Sequence, residues 1–186
     1  AGGAEVNVRR MVAVLALMAA LSSATWSQNF AGHQPTIVYH APEITSISRG
    51  HLGGVVLQFR IPGGFHINSN QPKQDYLKKT ELKLDAPTDI AIAGVTYPAG
   101  EDRSFPFDPN EKLNVYTGDF AVKVLVRPLR TVMPARYAVH GMLKYQACDN
   151  AACYPPKQLP ISFEIKVIKA ASETRHRNPA QSPNVH

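Results

Sequence analysis

The stretch "DFAVKVLVRPL", Asp119–Leu129, has a large apolar residue at every second position from 120 to 126, and the alternate positions carry Ala121, Lys123, Leu125 and Arg127. Its regularly spaced apolar set is Phe120, Val122, Val124 and Val126. Successive side chains of a β-strand point to opposite faces, so this two-residue period predicts a strand with one buried face.

Four further stretches show the same period and are separated by clusters of Pro, Gly and Asn. They are "VVLQFRI" (55–61), "TELKLDA" (80–86), "YAVHGMLKYQAC" (137–148) and "PISFEIKVI" (160–168). No segment of ten or more residues between 28 and 168 shows a helical period. The sequence therefore predicts an all-β protein, an antiparallel β-sandwich. The residues of these stretches that we expect in its core are Val55, Leu57, Phe59, Ile61, Leu82, Leu84, Ile161, Phe163, Ile165 and Val167.

Both cysteines lie at the end of one predicted strand, in "KYQACDNAACYPP" (144–156). The Asp and Asn of the intervening "DNAA" favour a turn, so we expect Cys148 and Cys153 to face each other across a short hairpin loop. Residues paired in this way have Cα atoms ~4.5–5.5 Å apart, a separation that a disulfide can bridge.

A disulfide here has two interpretations, a structural staple or a redox-active bridge. Two cysteines in an exported chain usually pair as a staple. A closed loop of about six residues, however, stabilises a fold by only ~2 kcal/mol in the chain-entropy description. Pro155 and Pro156 donate no ladder hydrogen bonds, so they interrupt pairing beside Cys153 and leave its sulfur near an open edge. An accessible bridge that stabilises little favours redox chemistry.

The two ends of the chain differ in composition from its middle. Residues 1–27 contain two arginines, an uncharged run from Met11 to Leu21 and then small residues, which is the layout of a secretory signal peptide. The apolar run is too short to span a bilayer. We therefore expect export, a sandwich domain over residues 28–168 that does not span the membrane, and a disordered polar tail over residues 169–186.

The formal net charge of +6 does not indicate a nucleic-acid partner. Between residues 28 and 168 there are 15 Lys and Arg against 12 Asp and Glu, and these charges are scattered along the predicted strands. Nucleic-acid binding normally needs a clustered basic face, so we expect none.

The cysteine hairpin, together with "GGFHINSNQP", "TELKL", "VTYP" and "LNVYTGDFAVKVLV", resembles the N-terminal periplasmic domain of the thiol:disulfide interchange protein DsbD. The resemblance covers roughly residues 55–167. It implies an immunoglobulin-like fold whose cysteine pair takes electrons from a thioredoxin-like donor or a membrane electron transporter. It also implies that oxidised periplasmic proteins accept these electrons and that no cofactor is needed. By the same resemblance, Cys153 forms mixed disulfides with partners and Cys148 resolves them.

Members of this family shield the pair with a cap loop that carries an aromatic side chain. The matching stretch here is "EDRSFPFDPNEK" (101–112), which makes Phe105 or Phe107 the candidate cap residue. Because its part "SFPFDPNEK" (104–112) is rich in turn-forming residues, we expect this part to be a loop. The alternative is that both rings are ordinary core residues.

The chain departs from the family pattern near the cysteines. Four residues separate the two cysteines, one fewer than in the best-known members, and His66 and Asn68 stand where those members have tyrosines. We place His66, Asn68, Asp149 and Tyr154 near the redox pair. A histidine beside thiols can tune them or bind a soft metal, but the spacing has no metal-ligand pattern, so we predict no metal site.

No membrane electron-conducting segment and no thioredoxin-like segment follow the predicted tail. We therefore expect a free-standing module whose electron donor is a separate polypeptide. The alternative function is a non-catalytic binding or adaptor sandwich, in which the hairpin disulfide only fixes a recognition loop.

Overall fold

The structure, a computed structural model, describes residues 35–170. The predicted signal peptide (1–27) and the predicted tail beyond residue 170 lie outside these residues. The described part consists of strands and connecting segments without a helix. The strands are β1 (Val38–His40), β2 (Thr45–Ser48), β3 (Gly53–Arg60), β4 (His66–Asn68), β5 (Glu81–Asp85), β6 (Ile90–Thr96), β7 (Glu101–Phe105), β8 (Asp108–Tyr116), β9 (Asp119–Pro128), β10 (Arg136–Tyr145), β11 (Ala147–Cys148) and β12 (Lys157–Ile168).

Two four-stranded sheets form an immunoglobulin-like sandwich. Strands β1, β3, β9 and β6 make the first sheet in that order, and β2, β12, β10 and β5 make the second. The long pairs β3–β9 and β10–β12 are antiparallel, as predicted, whereas the short strand β2 runs parallel to β12. The fold class predicted from the sequence is confirmed.

The apolar faces of the two sheets enclose one core, which we call the main core. In β9 the four residues predicted to point inward are all buried, while Lys123 and Arg127 on the opposite face are exposed. The alternation of β3 and β12 is confirmed in the same way; of the residues predicted from β5, Leu82 is buried and Leu84 is half-buried. Burial of such side chains, at roughly 25 cal/mol per Å² of apolar surface, is the main source of stability here.

A third sheet, which we call the site sheet, has the order β11, β4, β8, β7. Its strands continue the strands of the sandwich at one end: β4 follows β3, β11 follows β10 after Gln146, and β8 leads into β9. The turn between β8 and β9 is only Thr117–Gly118, and Gly118 has a positive φ of 59°, a conformation that glycine adopts without steric cost. The long core strands thus anchor the site sheet.

The expectation of a loop at "SFPFDPNEK" is wrong. This stretch forms the end of β7, a turn at Pro106–Phe107 and the start of β8, and the two strands pair as a hairpin. The many turn formers are accommodated because a register shift between Arg103 and Phe105 interrupts the pairing near the tip. We call this element, residues 101–116, the cap hairpin.

Candidate functional site

The two cysteines form a disulfide across a hairpin at the edge of the site sheet. Their Cα atoms are 3.9 Å apart, so the prediction that they lie within bonding range is confirmed. The spacing is short because Cys148 and Cys153 occupy a non-hydrogen-bonded position, flanked by hydrogen bonds from Asp149 N to Ala152 O (2.9 Å) and from Tyr154 N to Ala147 O (2.8 Å). Facing residues approach most closely at such positions of an antiparallel ladder.

The two sulfur-bearing residues differ sharply in exposure. Cys148 is fully buried, with 0% of its surface accessible, whereas Cys153 is exposed. The cause lies in the chain around them, since β11 pairs with β4 on its other side, while residues 154–156 after Cys153 form no strand before β12 begins at Lys157. The prediction that the prolines leave Cys153 at an open edge is confirmed.

Asp149 organises the loop between the cysteines. Its carboxylate accepts hydrogen bonds from the N–H groups of Ala151 (2.7 Å) and Ala152 (2.8 Å) and from the Tyr154 hydroxyl (2.7 Å). The Tyr154 hydroxyl first, and then these two backbone donors, hold the pKa of Asp149 below its usual value. The loop is therefore fixed by a short polar side chain, in the way that aspartate commonly stabilises turns.

His66 lies directly across the ladder from Cys148. The β4–β11 register pairs His66 with Cys148 and Ile67 with Ala147. The imidazole is only 2% exposed, and its Nε2 atom has no hydrogen-bond partner. Burial lowers the pKa of His66 to about 4; the Asp149 carboxylate acts in the opposite direction, and Arg103 lowers the pKa further.

The cap hairpin reaches the site through His66. The ring of Phe105 is buried and stacks on the imidazole, with centroids 3.9 Å apart, and Phe107 stacks on the outer face of Phe105 at 5.6 Å. Phe105 packs with Leu113 and Val115 in a small apolar cluster separate from the main core, whereas Phe107 is 43% exposed. Neither ring belongs to the main core.

Asn68 is buried on the same strand as His66 but contacts different residues. Its amide Nδ2 donates to the carbonyl of Lys78 (3.0 Å) and to the side chain of Gln146 (3.4 Å), and its Oδ1 atom has no partner. Gln146 in turn donates to the carbonyl of Tyr154 (3.1 Å). Asn68 is thus linked through Gln146 to the backbone of Tyr154, next to Cys153.

Two neighbours of the site were not found from the sequence. Phe65 packs its ring 6.1 Å from that of Tyr154, and Arg103 acts electrostatically on His66 while its guanidinium pairs with Glu101 (2.6 Å). No local signal marks Arg103, because the register shift between Arg103 and Phe105 interrupts the alternation of the strand there.

These features define a class of protein: an immunoglobulin-like sandwich with an asymmetric disulfide at one end, one cysteine buried and the other exposed. The sequence profile of the family "Thiol:disulfide interchange protein DsbD, N-terminal" matches residues 37–164, well over half of the chain. The chain belongs to this family, and the resemblance noted in the sequence is confirmed. The family and the disulfide together support a thiol:disulfide interchange module.

Two solved structures of this family are similar to the chain. The Neisseria meningitidis DsbD N-terminal domain in its reduced form is 24% identical, with a TM-score of 0.37, and the match covers 59% of this chain and 74% of that one. The complex between the DsbD and PilB N-terminal domains of the same organism is matched at 22% identity and a TM-score of 0.39, covering 59% and 73%. No curated protein sequence matched the chain.

Within residues 35–170 there is no helix long and apolar enough to cross a membrane. In the same residues, no group of three or more His, Cys, Asp or Glu side chains is arranged to hold a metal ion.

Proposed function

We propose that this protein is a periplasmic thiol:disulfide relay. It takes two electrons from a thioredoxin-like donor or a membrane electron transporter and passes them to oxidised periplasmic proteins through Cys148 and Cys153. The observation that carries this proposal is the unequal exposure of the two cysteines. Thiol exchange depends on which sulfur can be reached, so a bridge with one reachable sulfur reacts in a defined order.

The uptake of electrons follows from that order. A donor thiolate attacks Sγ of Cys153, a mixed disulfide forms, and the electron pair of the broken bond goes to Sγ of Cys148. The donor's second thiolate then attacks the donor sulfur of the mixed disulfide. This step releases the donor as a disulfide and leaves Cys153 as a thiolate, so that two electrons have been transferred and two protons are taken up.

Delivery reverses these roles. The Cys153 thiolate attacks a disulfide of the acceptor protein, and one acceptor sulfur leaves as a thiolate. Cys148 then attacks Sγ of Cys153, which restores the Cys148–Cys153 bridge and releases the second acceptor thiol. The buried position of Cys148 keeps it from partners and reserves it for this internal step.

The competing function, an adaptor whose disulfide only fixes a recognition loop, is less well supported. The loop between the cysteines is already held by three hydrogen bonds to the Asp149 carboxylate. A bridge across a loop of about six residues adds only ~2 kcal/mol to the stability of the whole fold. The disulfide therefore adds little to the structural stability of a loop that these hydrogen bonds already hold.

We further propose that Phe107 and Phe105 form a movable cover of the site. A solvated hairpin tip has no reason to expose an apolar ring, and Phe107 is exposed while stacked on the buried Phe105. A docking partner can displace such a tip at small cost, because Phe105 packs with Leu113 and Val115 in a small cluster apart from the main core.

Thiol titration during incubation with a reduced thioredoxin-like protein tests the relay. We expect rapid reduction of one disulfide per chain, because the donor reaches Cys153 directly. The matched control is the Cys148→Ser/Cys153→Ser double variant, which consumes no donor thiol. A bridge that resists the reduced donor while small thiols open it would favour the adaptor function.

Export is the remaining part of the proposal and rests on the layout of residues 1–27. We expect a mature protein that begins near Thr25 or Gln28. Mass spectrometry of the protein recovered from cells checks this, and retention of residues 11–24 would contradict it.

A further inference from the structure

His66 is the buried titratable group of the site that the relay described above leaves without a role. It is 2% exposed, and its Nε2 atom is buried without a hydrogen-bond partner. A buried polar atom normally has a partner, and leaving one unpaired costs about 1–3 kcal/mol. The unpaired imidazole nitrogen lowers the stability of the fold and lies beside the cysteine pair, which suggests that it has a function there.

The ladder places this imidazole in one row with both cysteines. His66 faces Cys148 across the β4–β11 pair, and Cys148 faces Cys153 across the hairpin. Residues directly opposite each other in an antiparallel ladder project their side chains from the same face. His66, Cys148 and Cys153 therefore stand side by side, with Cys148 in the middle.

The surroundings keep the imidazole neutral and shielded from water. Phe105 stacks on its face at 3.9 Å, and Phe107 lies beyond. The charged groups that act on it are the Asp149 carboxylate of the cysteine loop and the Arg103 guanidinium of β7. Burial outweighs Asp149 and lowers the pKa of His66 to about 4. At neutral pH the ring is therefore unprotonated, and the lone pair of its unprotonated nitrogen is not taken up by a proton.

Cys148 needs such an acceptor in the delivery step. Only a thiolate is an effective nucleophile, and a thiol in a buried site ionises less readily than an exposed one. Water cannot easily collect the proton because Cys148 is fully buried. A base in the same row of the ladder removes this obstacle without forming an isolated buried thiolate.

We propose that His66 is the proton acceptor for Cys148 when Cys148 attacks the mixed disulfide on Cys153. This inference rests on the proposed relay. In the step, the Cys148 S–H proton moves to His66 Nε2 as the sulfur lone pair forms the bond to Sγ of Cys153. The bond from Cys153 to the acceptor protein breaks, and its electron pair leaves on the acceptor sulfur. That thiolate then takes a proton from His66 or from solvent, so the imidazole is neutral again.

An aromatic disulfide, 5,5′-dithiobis(2-nitrobenzoate), separates the two thiol steps in the reduced full-length protein. Attack by Cys153 releases the first coloured thiolate, and attack by Cys148 on the resulting mixed disulfide releases the second. Stopped-flow absorbance records both phases. The Cys148→Ser variant gives the first phase alone and identifies the second.

His66→Phe keeps a stacked ring but removes the proton acceptor, and His66→Gln keeps a polar side chain that is not a base. For both we expect the first phase to stay within about twofold of the wild type and the second to be ~100-fold slower near neutral pH, the lower end of the effect of a positioned base. The matched control is His51→Asn, which replaces an exposed histidine and should change neither phase.

The pH profile of the second phase separates a chemical role from a structural one. With His66 unprotonated above about pH 5, the wild-type rate should be nearly flat from about pH 5.5 to 8. Without the base the rate should rise about tenfold per pH unit, because only the pre-formed thiolate then reacts.

Three outcomes are informative. A slow, steeply pH-dependent second phase in both His66 variants, with unchanged melting temperatures, supports the inference. A second phase that equals the wild type in either folded variant overturns it. Absence of both phases in the wild type contradicts the relay itself and thereby separates the failure of the proposed function from that of the His66 inference.

Discussion

In the main core, alternate residues of β3 and β9 are fully buried and apolar, and their backbone groups pair along long antiparallel ladders. The site sheet is built differently: β4 has three residues and β11 two, and the buried residues of β4 include His66 and Asn68, each with an unpartnered polar atom. The first region stabilises the fold, whereas the second accepts a local cost in stability and holds the cysteine pair.

The largest effect on stability should come from the main core. Leu57 on β3 is fully buried, so Leu57→Ala should lower the free energy of unfolding by about 2–5 kcal/mol through lost burial and a residual cavity. Val56→Ala on the same strand, at a 42% exposed position, is the matched control and should change it by less than about 1 kcal/mol. Urea unfolding measures both. Equal losses would show that the alternation of β3 does not govern stability.

The second effect is a pH dependence that originates in the site sheet. An unfolded histidine with the ordinary pKa of 6.5 binds a proton that folded His66, with its pKa lowered to about 4, does not. Stability from this group is therefore present above pH 6.5, decreases as the pH falls and levels off below about pH 4, with a total change of up to ~3 kcal/mol.

Urea unfolding of the wild type and of His66→Gln at a series of pH values isolates the contribution of His66 to the pH dependence of stability, because glutamine does not titrate. The stability difference between the two proteins should shrink or reverse from pH 7 towards pH 4. A difference that is constant with pH would show that the imidazole is not desolvated in the folded state.

A smaller effect is expected from the disulfide. Reduction of the Cys148–Cys153 bridge should lower the free energy of unfolding by only ~2 kcal/mol, because the bridge closes a loop of about six residues. The sandwich should stay folded after reduction, as seen in an unchanged far-ultraviolet spectrum and a still cooperative urea transition. Loss of cooperativity would indicate a structural staple and would weaken the division between the two regions.

The smallest effect on stability concerns the cap hairpin. Phe107→Ala should lower the free energy of unfolding by less than about 1 kcal/mol, because the ring is largely exposed. It should nevertheless speed the reaction of the pair with small thiol reagents by loosening the cover. Phe105→Ala should speed the reaction too, but at a larger cost in stability, because that ring is buried on His66. Lost stability without faster reaction in both variants would show that the cover lies elsewhere.

The main core was predictable because it obeys a single rule. The apolar period of two along β3, β9 and β12 identifies both the strand and its buried face, and the structure confirms it residue by residue. Once the period is known, a short stretch of sequence is enough to tell which of its residues are buried. The cysteine hairpin was predictable for the same kind of reason, since its turn signal and the two prolines are contiguous with the thiols.

The rest of the site depends on contacts between distant segments. The stacking of Phe105 on His66 joins residues that lie far apart in the chain, and neither residue signals the other. The turn-forming residues of the cap hairpin predict a loop, whereas the structure forms two strands, of which β8 pairs with β7 on one side and with β4 on the other. Short strands of this kind take their form from tertiary context.

The central claim is that partners react at Cys153 and that Cys148 serves as the internal thiol. Its most direct test uses the unaltered, oxidised protein and a thioredoxin-like donor whose second cysteine is replaced by serine, so that the mixed disulfide persists. After an acid quench, peptide mapping by mass spectrometry identifies the cysteine that carries the donor. The account predicts the donor on Cys153 and a free thiol at Cys148. Donor attached mainly to Cys148, or equally to both cysteines, would contradict it.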